Sequence, residues 1–251
     1  MRFRRHLMAL MALLVPGILS SAPAPVTADA LGAVRYEVRY LLGGLDTKVA
    51  DATISLDRAT WEQQSVLHAH ASIRAVSVFR LFMNAEYQAD SYLTSAAREP
   101  LYYKNPIKKG GKEGKFECIY DKDSKSIHSE FERPPADPIQ TSFPLDGWTM
   151  DLLSLLQYVR FLDMAEGRSQ SLHLLKGGES VAATLTCLGS DTERFPGVST
   201  DRFQLKMTEK GLMENGSGNT ILVWRSSGSD RMLLALEVSL GSGVMSVSVC
   251  N

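Results

Sequence analysis

No apolar run in this sequence is long enough to cross a bilayer as a helix. The longest, Leu7 to Leu19, spans about 13 residues and is broken by Pro16 and Gly17, against the roughly 20 that a helical span requires. Charge of one sign is also lacking, since 27 Lys and Arg stand against 28 Asp and Glu. That balance argues against a nucleic-acid partner, which needs a basic face. Cysteine is scarce: Cys118, Cys187 and Cys250 are the full complement. An odd count permits at most one disulfide and leaves a thiol over. Two chemical signatures are missing as well. The Gly- and Lys-rich stretch from Lys104 to Lys115 is followed by Phe116 rather than Ser or Thr, so it is not a phosphate-binding loop. No Gly-x-Ser-x-Gly elbow occurs, and Ser217 and Ser242, each between glycines, read as turn residues. No internal repeat is visible.

What is present begins with Arg2, Arg4 and Arg5, then the short apolar run, then the small and Pro-rich stretch Ser20 to Pro25. This order is that of a secretory signal peptide. Val26-Thr27-Ala28 and Ala28-Asp29-Ala30 both suit the peptidase, giving a cleaved segment 1–28 and one β-rich domain over 31–251. No cysteine follows the apolar run, so no lipid attachment is expected there. Removing the three arginines shifts the formal charge from −1 to −4, a mildly acidic exported protein.

Period-two alternation dominates the remainder. Val34, Tyr36, Val38 and Tyr40 share one face against Arg35, Glu37 and Arg39, the pattern of a half-buried antiparallel strand. Gly43-Gly44 supplies a turn and Lys48 to Asp57 the returning strand. Further strands are expected at Trp61 to Arg74, Glu86 to Tyr92, Pro100 to Lys104, Lys115 to Tyr120 and Ser126 to Glu132. The C-terminal third, from Thr200 to Cys250, reads as a meander punctuated by Gly-Ser turns. About a dozen short strands favour a highly curved antiparallel sheet or a barrel, because curvature or closure removes exposed edges.

Two segments break the alternation. Ile73 to Met83 has helical spacing for two or three turns. Thr149 to Glu166 is the clear helix, with Leu152, Leu155, Leu156, Val159 and Leu162 on one stripe and Tyr158 and Phe161 beside it. Thr149 is the expected N-cap and Gly167 the C-terminal glycine. This amphipathic helix must bury against the sheet. Between strands and helix, the Pro-rich stretch Arg133 to Phe143 reads as an extended connection.

Several side-chain groupings deserve testing. His68 and His70, two apart on a strand, leave the same face and could share a metal ion. His128, Glu130 and Glu132 do likewise and could hold a metal or perform acid–base chemistry; a solvent-facing strand surface explains either set as well. Trp61, Tyr158 and Trp224 are candidate ligand-cavity residues, with core packing as the plainer explanation. Cys187 and Cys250 are the pair to test for a disulfide, and Cys118, between Phe116 and Tyr120, reads as buried. The lysine-rich loop suits anionic lipid headgroups or acidic glycans, or is simply a hairpin tip.

The run Thr149-Met150-Asp151-Leu152-Leu153-Ser154-Leu155-Leu156-Gln157-Tyr158-Val159-Arg160 resembles the central helix of the bacterial exported family called domain of unknown function 3108. Tyr36-x-Val38-x-Tyr40 with Gly43-Gly44 is similar to that family's first hairpin. Trp224-x-Ser226, Asp230-Arg231 and Val238-x-Leu240-Gly241-Ser242 are similar to its closing strands, with Leu233 and Leu234 where the family has a proline. The resemblance runs from about Leu31 to Cys250 and implies fold and export, with no activity attached. A curved sheet around a helix is also similar to periplasmic carriers of lipidated proteins, an analogy at the level of fold. The expectation is a non-enzymatic envelope protein, without cofactor, that holds a lipidic or amphipathic ligand, a glycan or an envelope partner. The alternatives are a metal-dependent or acid–base hydrolase and a structural scaffold.

Overall fold

The alternation read at Tyr36 and Val38 continues through nearly the whole chain, and neighbouring segments pair in the order they are made. The computed structural model describes residues 30–76, 86–96, 98–109, 112–132, 135–145, 147–176, 179–208 and 219–250. The expected signal peptide, the cleavage site after Ala28 and Ser77 to Met83 of the first helical stretch lie outside these residues. Strands β1 (Gly32–Leu42), β2 (Leu45–Trp61), β3 (Gln64–Ala75), β4 (Glu86–Thr94), β5 (Pro100–Lys109), β6 (Lys112–Asp121), β7 (Ser126–Glu132) and β8 (Ile139–Pro144) form an antiparallel meander. The short β9 (Thr149–Met150) and helix α1 (Leu152–Phe161) follow. A second meander is built from β10 (Ser169–Lys176), β11 (Glu179–Ser190), β12 (Thr200–Met207), β13 (Thr220–Ser226), β14 (Leu233–Leu240) and β15 (Gly243–Val249).

The meanders join where the described chain begins and ends. β1 pairs antiparallel with β15 from Tyr36↔Val249 to Leu41↔Val244, giving one sheet of 15 strands among the described residues, with β8 and β9 at its margins. β9 lies parallel to β10, and no ladder joins it to β8. The sheet is thus a large curled antiparallel one around the one α-helix of the described residues, as the alternation implied, and it curls without closing.

The strand count exceeds the expected dozen for identifiable reasons. Residues Trp61 to Arg74 are not one strand, because Glu62 and Gln63 adopt left-handed φ of 46° and 67° and turn β2 into β3. Neither residue carries the Gly, Asn or Asp signature of such a turn. Ile139–Pro144, expected as a connection, pairs with β7 as β8. Ile73 to Ala75, placed in a short helix by spacing, are the end of β3.

Helix α1 is shorter than its pattern. Thr149 and Met150 are extended, Asp151 is the N-cap, and Leu162 leaves the helix in extended conformation with φ −74° and ψ 123°. Gly167 has φ +76° but serves the turn into β10. Within α1 every residue from Leu153 to Phe161 is buried, because the curled sheet covers more than one face. Leu155, Leu156, Tyr158 and Val159 pack with Phe203, Leu205 and Val223 of the second meander. Leu153 and Phe161 pack with Leu67, Leu93 and Ile127 of the first.

Most polar groups on this buried helix are partnered, as is usual away from water, with Gln157 Nε2 the exception among the described residues. Arg225 donates from Nη1 to the carbonyls of Val159 and Arg160, both at 2.8 Å, and so caps the helix C-terminus with a cation. Arg160 donates to the carbonyls of Ala30 at 2.6 Å and Arg231 at 2.9 Å. At the other end Asp151 accepts from the Ser154 amide at 2.8 Å and from the hydroxyls of Ser154 at 2.5 Å, Ser91 at 3.1 Å and Tyr120 at 3.4 Å.

Burial raises the Asp151 carboxyl above the usual aspartate range, outweighing the stabilising donations from Ser154 and Ser91. An acid so raised favours the fold while protonated. Its contribution is complete below the unfolded value near 3.9 and is lost as pH rises through the folded one. Asp151→Asn keeps a neutral cap, so its urea midpoint should decline less than the wild-type midpoint between about pH 4 and pH 7. Asp151→Ala should cost about 1–3 kcal/mol by orphaning the hydroxyls. Parallel midpoint profiles for wild type and Asp151→Asn would overturn this assignment.

Candidate functional site

Alanines on neighbouring strands decide where the interior is incompletely filled. Ala52 on β2, Ala71 on β3, Ala89 on β4 and Ala235 on β14 line one cavity. The register places Ala71 beside Ile54 on one side and Ala89 on the other. Side chains this short do not reach the helix, and the gap is roofed by Leu152, Leu153 and Leu156 of α1. Tyr36, Ile54, Ile73, Tyr87, Leu233, Leu236 and Val247 complete the wall, so none of its residues is charged.

The cavity is about 120 Å³. A dry apolar cavity of roughly 150 Å³ admits benzene, whereas sites for drug-sized ligands run to about 300–1,000 Å³. One ring or the end of one alkyl chain fits, and a whole lipid does not. The two tyrosines present rings rather than hydroxyls. Tyr36 donates its hydroxyl to the Leu233 carbonyl at 3.0 Å, and burial pushes its phenol well above the usual range. Tyr87 pairs through its hydroxyl with that of Tyr103 at 3.1 Å and is 39% exposed, placing it at the rim.

Beside the helix N-terminus, the Ser91, Ser154 and Asp151 cluster has the residue types of a hydrolase but lacks its arrangement. Ser91 and Ser154 are fully buried, their hydroxyls are 2.5 Å apart, and both donate directly to the Asp151 carboxylate with no imidazole between serine and acid. Its chemistry is that of an N-cap.

The ligand candidates occupy three different places. Tyr158 is in the core against Trp148, its hydroxyl donating to Gln170 at 2.9 Å. Trp224 packs with Leu234 and Phe195 under Arg194 and donates to Asp191 at 2.9 Å. Trp61 stacks on Tyr102 with ring centroids 4.7 Å apart and lies 4.8 Å from Tyr92. None of the three lines the cavity. Sequence spacing pointed to bulky aromatics, while the cavity is made by small residues. The cue was alanine recurring at inward positions of β2, β3 and β4.

The metal candidates share faces as their spacing required, but their partners are protein groups. His68 Nε2 and His70 Nδ1 lie 2.8 and 2.9 Å from the same Asp90 oxygen. Glu130 and Glu132 converge on the Lys115 ammonium at 3.3 and 3.7 Å, and His128 is bonded to Ser126 at 2.9 Å. Lys115 holds Glu130 below the usual glutamate range, second to the amide donation from Gln140. Among the described residues no three His, Cys, Asp or Glu side chains, His128, Glu130 and Glu132 included, are grouped as a metal site.

The two cysteines expected as a disulfide pair lie apart in the sheet. Cys187 is on β11 and Cys250 follows β15, four strands apart in the sheet, about 19 Å at the usual strand spacing. A disulfide needs Cα atoms within about 7 Å, and all three cysteines are free thiols. Cys118 and Cys187 are buried and Cys250 is exposed.

A curled antiparallel sheet with one enclosed helix defines a class of β-barrel-like proteins. The crystal structure of a β-barrel-like protein of domain of unknown function DUF1849 from Brucella abortus is similar across 92% of this chain and 98% of that one. The TM-score is 0.57 and the identity 8%, a likeness of fold alone. No curated relative matches the chain. The family model described as protein of unknown function (DUF3108) matches residues 35–248, and the chain belongs to that family. No helix among the described residues is long and apolar enough to cross a membrane.

Thiol burial gives a direct check on the sheet order. A maleimide should label one cysteine in the native protein and three after denaturation, with Cys250→Ser abolishing the native signal. Rapid native labelling at Cys187 would contradict its place inside the sheet.

Proposed function

We propose that this protein is an exported envelope component that binds, without catalysis, the end of an alkyl chain or an aryl group of an amphipathic molecule. The uncharged cavity between α1 and the alanines of β2 to β4 carries this reading. Apolar surface is the chemistry such a wall offers, and the size restricts the occupant to a chain end. The remainder of the ligand would lie outside, past Tyr87.

Export rests on the basic, apolar and small-residue order of the first 30 residues. The structure adds a constraint on processing. Ala30 is 2% exposed, and its carbonyl accepts from Arg160, so a chain cut after Ala30 would lose a core contact and leave a buried guanidinium short of an acceptor. Cleavage after Ala28 preserves both. Amino-terminal sequencing of the secreted protein should therefore begin at Asp29, and a start at Leu31 would refute this.

Filling the cavity tests the binding reading. Ala71→Leu and Ala89→Leu should each abolish binding of a fluorescent fatty-acid probe. Overpacking a full core costs about 1–3 kcal/mol, so these variants should lose less than that. Undiminished probe binding in stable Ala71→Leu and Ala89→Leu proteins would reject the cavity as the site.

A further inference from the structure

We infer that the end of the sheet carrying the β1–β2 turn docks on an anionic membrane surface, with three leucines of that turn entering the interface. The observation is local. Gly43 and Gly44 make the turn with φ of +55° and +86°, a conformation in which glycine is favoured at both positions. Leu42 and Leu45 are the cross-strand pair closing it, and Leu41 precedes them. Leu41, Leu42 and Leu45 are 38%, 46% and 71% exposed, so the outermost ladder of the hairpin is apolar and faces water.

The residues behind the tip do not supply a partner for it. Arg39 pairs with Glu37 and Asp46, and Lys48 pairs with Glu37 and Asp51, so both cations of this collar are engaged and one carboxylate charge is left over. From Leu41 to Leu45 there is no charged or hydrogen-bonding side chain. A protein partner would find nothing directional to read there. A bilayer interface asks only for apolar side chains that enter it and for cations at headgroup level.

Topology brings cations to the same end. Successive antiparallel pairings from β1 to β5 make β1, β3 and β5 run alike, so the β1–β2 and β5–β6 turns leave the sheet at one end. The tip of the β5–β6 hairpin has Lys108, Lys109 and Lys112 against Glu113 in sequence, whereas Lys104 and Lys115 farther back are paired with Glu117, Glu130 and Glu132. Ile73 near the end of β3 and Tyr87 near the start of β4 put the cavity rim at that end too. Docking there would bring the cavity toward membrane-borne alkyl chains. The inference extends the alkyl-binding reading, and the two fail separately in the following experiment.

The purified protein is floated with vesicles of phosphatidylcholine alone and of phosphatidylcholine with phosphatidylglycerol, at low and high salt. Wild type should partition onto the mixed vesicles and release as salt rises. Leu42→Ser/Leu45→Ser, altered only at exposed sites, should keep its circular dichroism and lower partition at least about tenfold. Lys108→Gln/Lys109→Gln should bring binding on mixed vesicles toward the phosphatidylcholine level. Ala71→Leu should partition like wild type, whatever its effect on the fatty-acid probe. Failure of wild type to float, or unchanged partition of the leucine variant, overturns the inference. So does a drop in oligomeric mass of that variant in lipid-free buffer, which would assign the leucines to self-association.

Discussion

The pairing of β1 with β15 is the constraint on which the rest of this structure depends. Each meander is made of local pairings, but only this ladder unites them and fixes the curvature between them. It brings the two ends of the described chain together in the middle of the sheet, so its closure entropy is incurred over nearly the whole domain. Its register is held by the inward side chains Tyr36 and Val38 of β1 with Val247 and Val249 of β15. A slip of one residue would send all of these outward. Late formation of this non-local ladder is the physical reason to expect slow folding.

Helix α1 is the second half of the same solution. A sheet this curved has a deep inner face, and one helix reached from both meanders fills most of it. That position buries Ser154, Gln157 and Arg160 along with the leucines. Burying polar groups is tolerable because backbone carbonyls and Asp151 are placed to accept from Ser154 and Arg160. Where β2, β3 and β4 present alanines, the helix cannot close the distance, and the cavity results. Site and core are therefore two outcomes of one packing problem, distinguished by side-chain length.

The outer face follows a different logic. His68, His70 and Asp90 satisfy one another, Glu130 and Glu132 share Lys115, and Trp61, Tyr92 and Tyr102 stack across strands. Such cross-strand pairs are the ordinary currency of a solvated sheet surface. Groupings that look like metal or catalytic sets in one dimension are completed by neighbours on adjacent strands, which a single strand's spacing does not contain.

Much was nevertheless legible. Alternation from Val34 to Tyr40 and from Thr200 onward determined the antiparallel β class, and the leucine stripe after Asp151 determined one enclosed helix, because side-chain period is a local property of the backbone. Gly43-Gly44 declared its turn by composition. Glu62-Gln63 did not, since its left-handed conformation is imposed by the strands it connects. The helix ended at Phe161 rather than near Gly167, and Thr149 became a strand, because pairing with β10 and packing inside the sheet override a pattern that would allow a longer helix. Which strands meet, which thiols lie apart and which alanines jointly leave a gap depend on contacts between distant residues. Those contacts came into being only when the sheet curled and closed its ladder between β1 and β15.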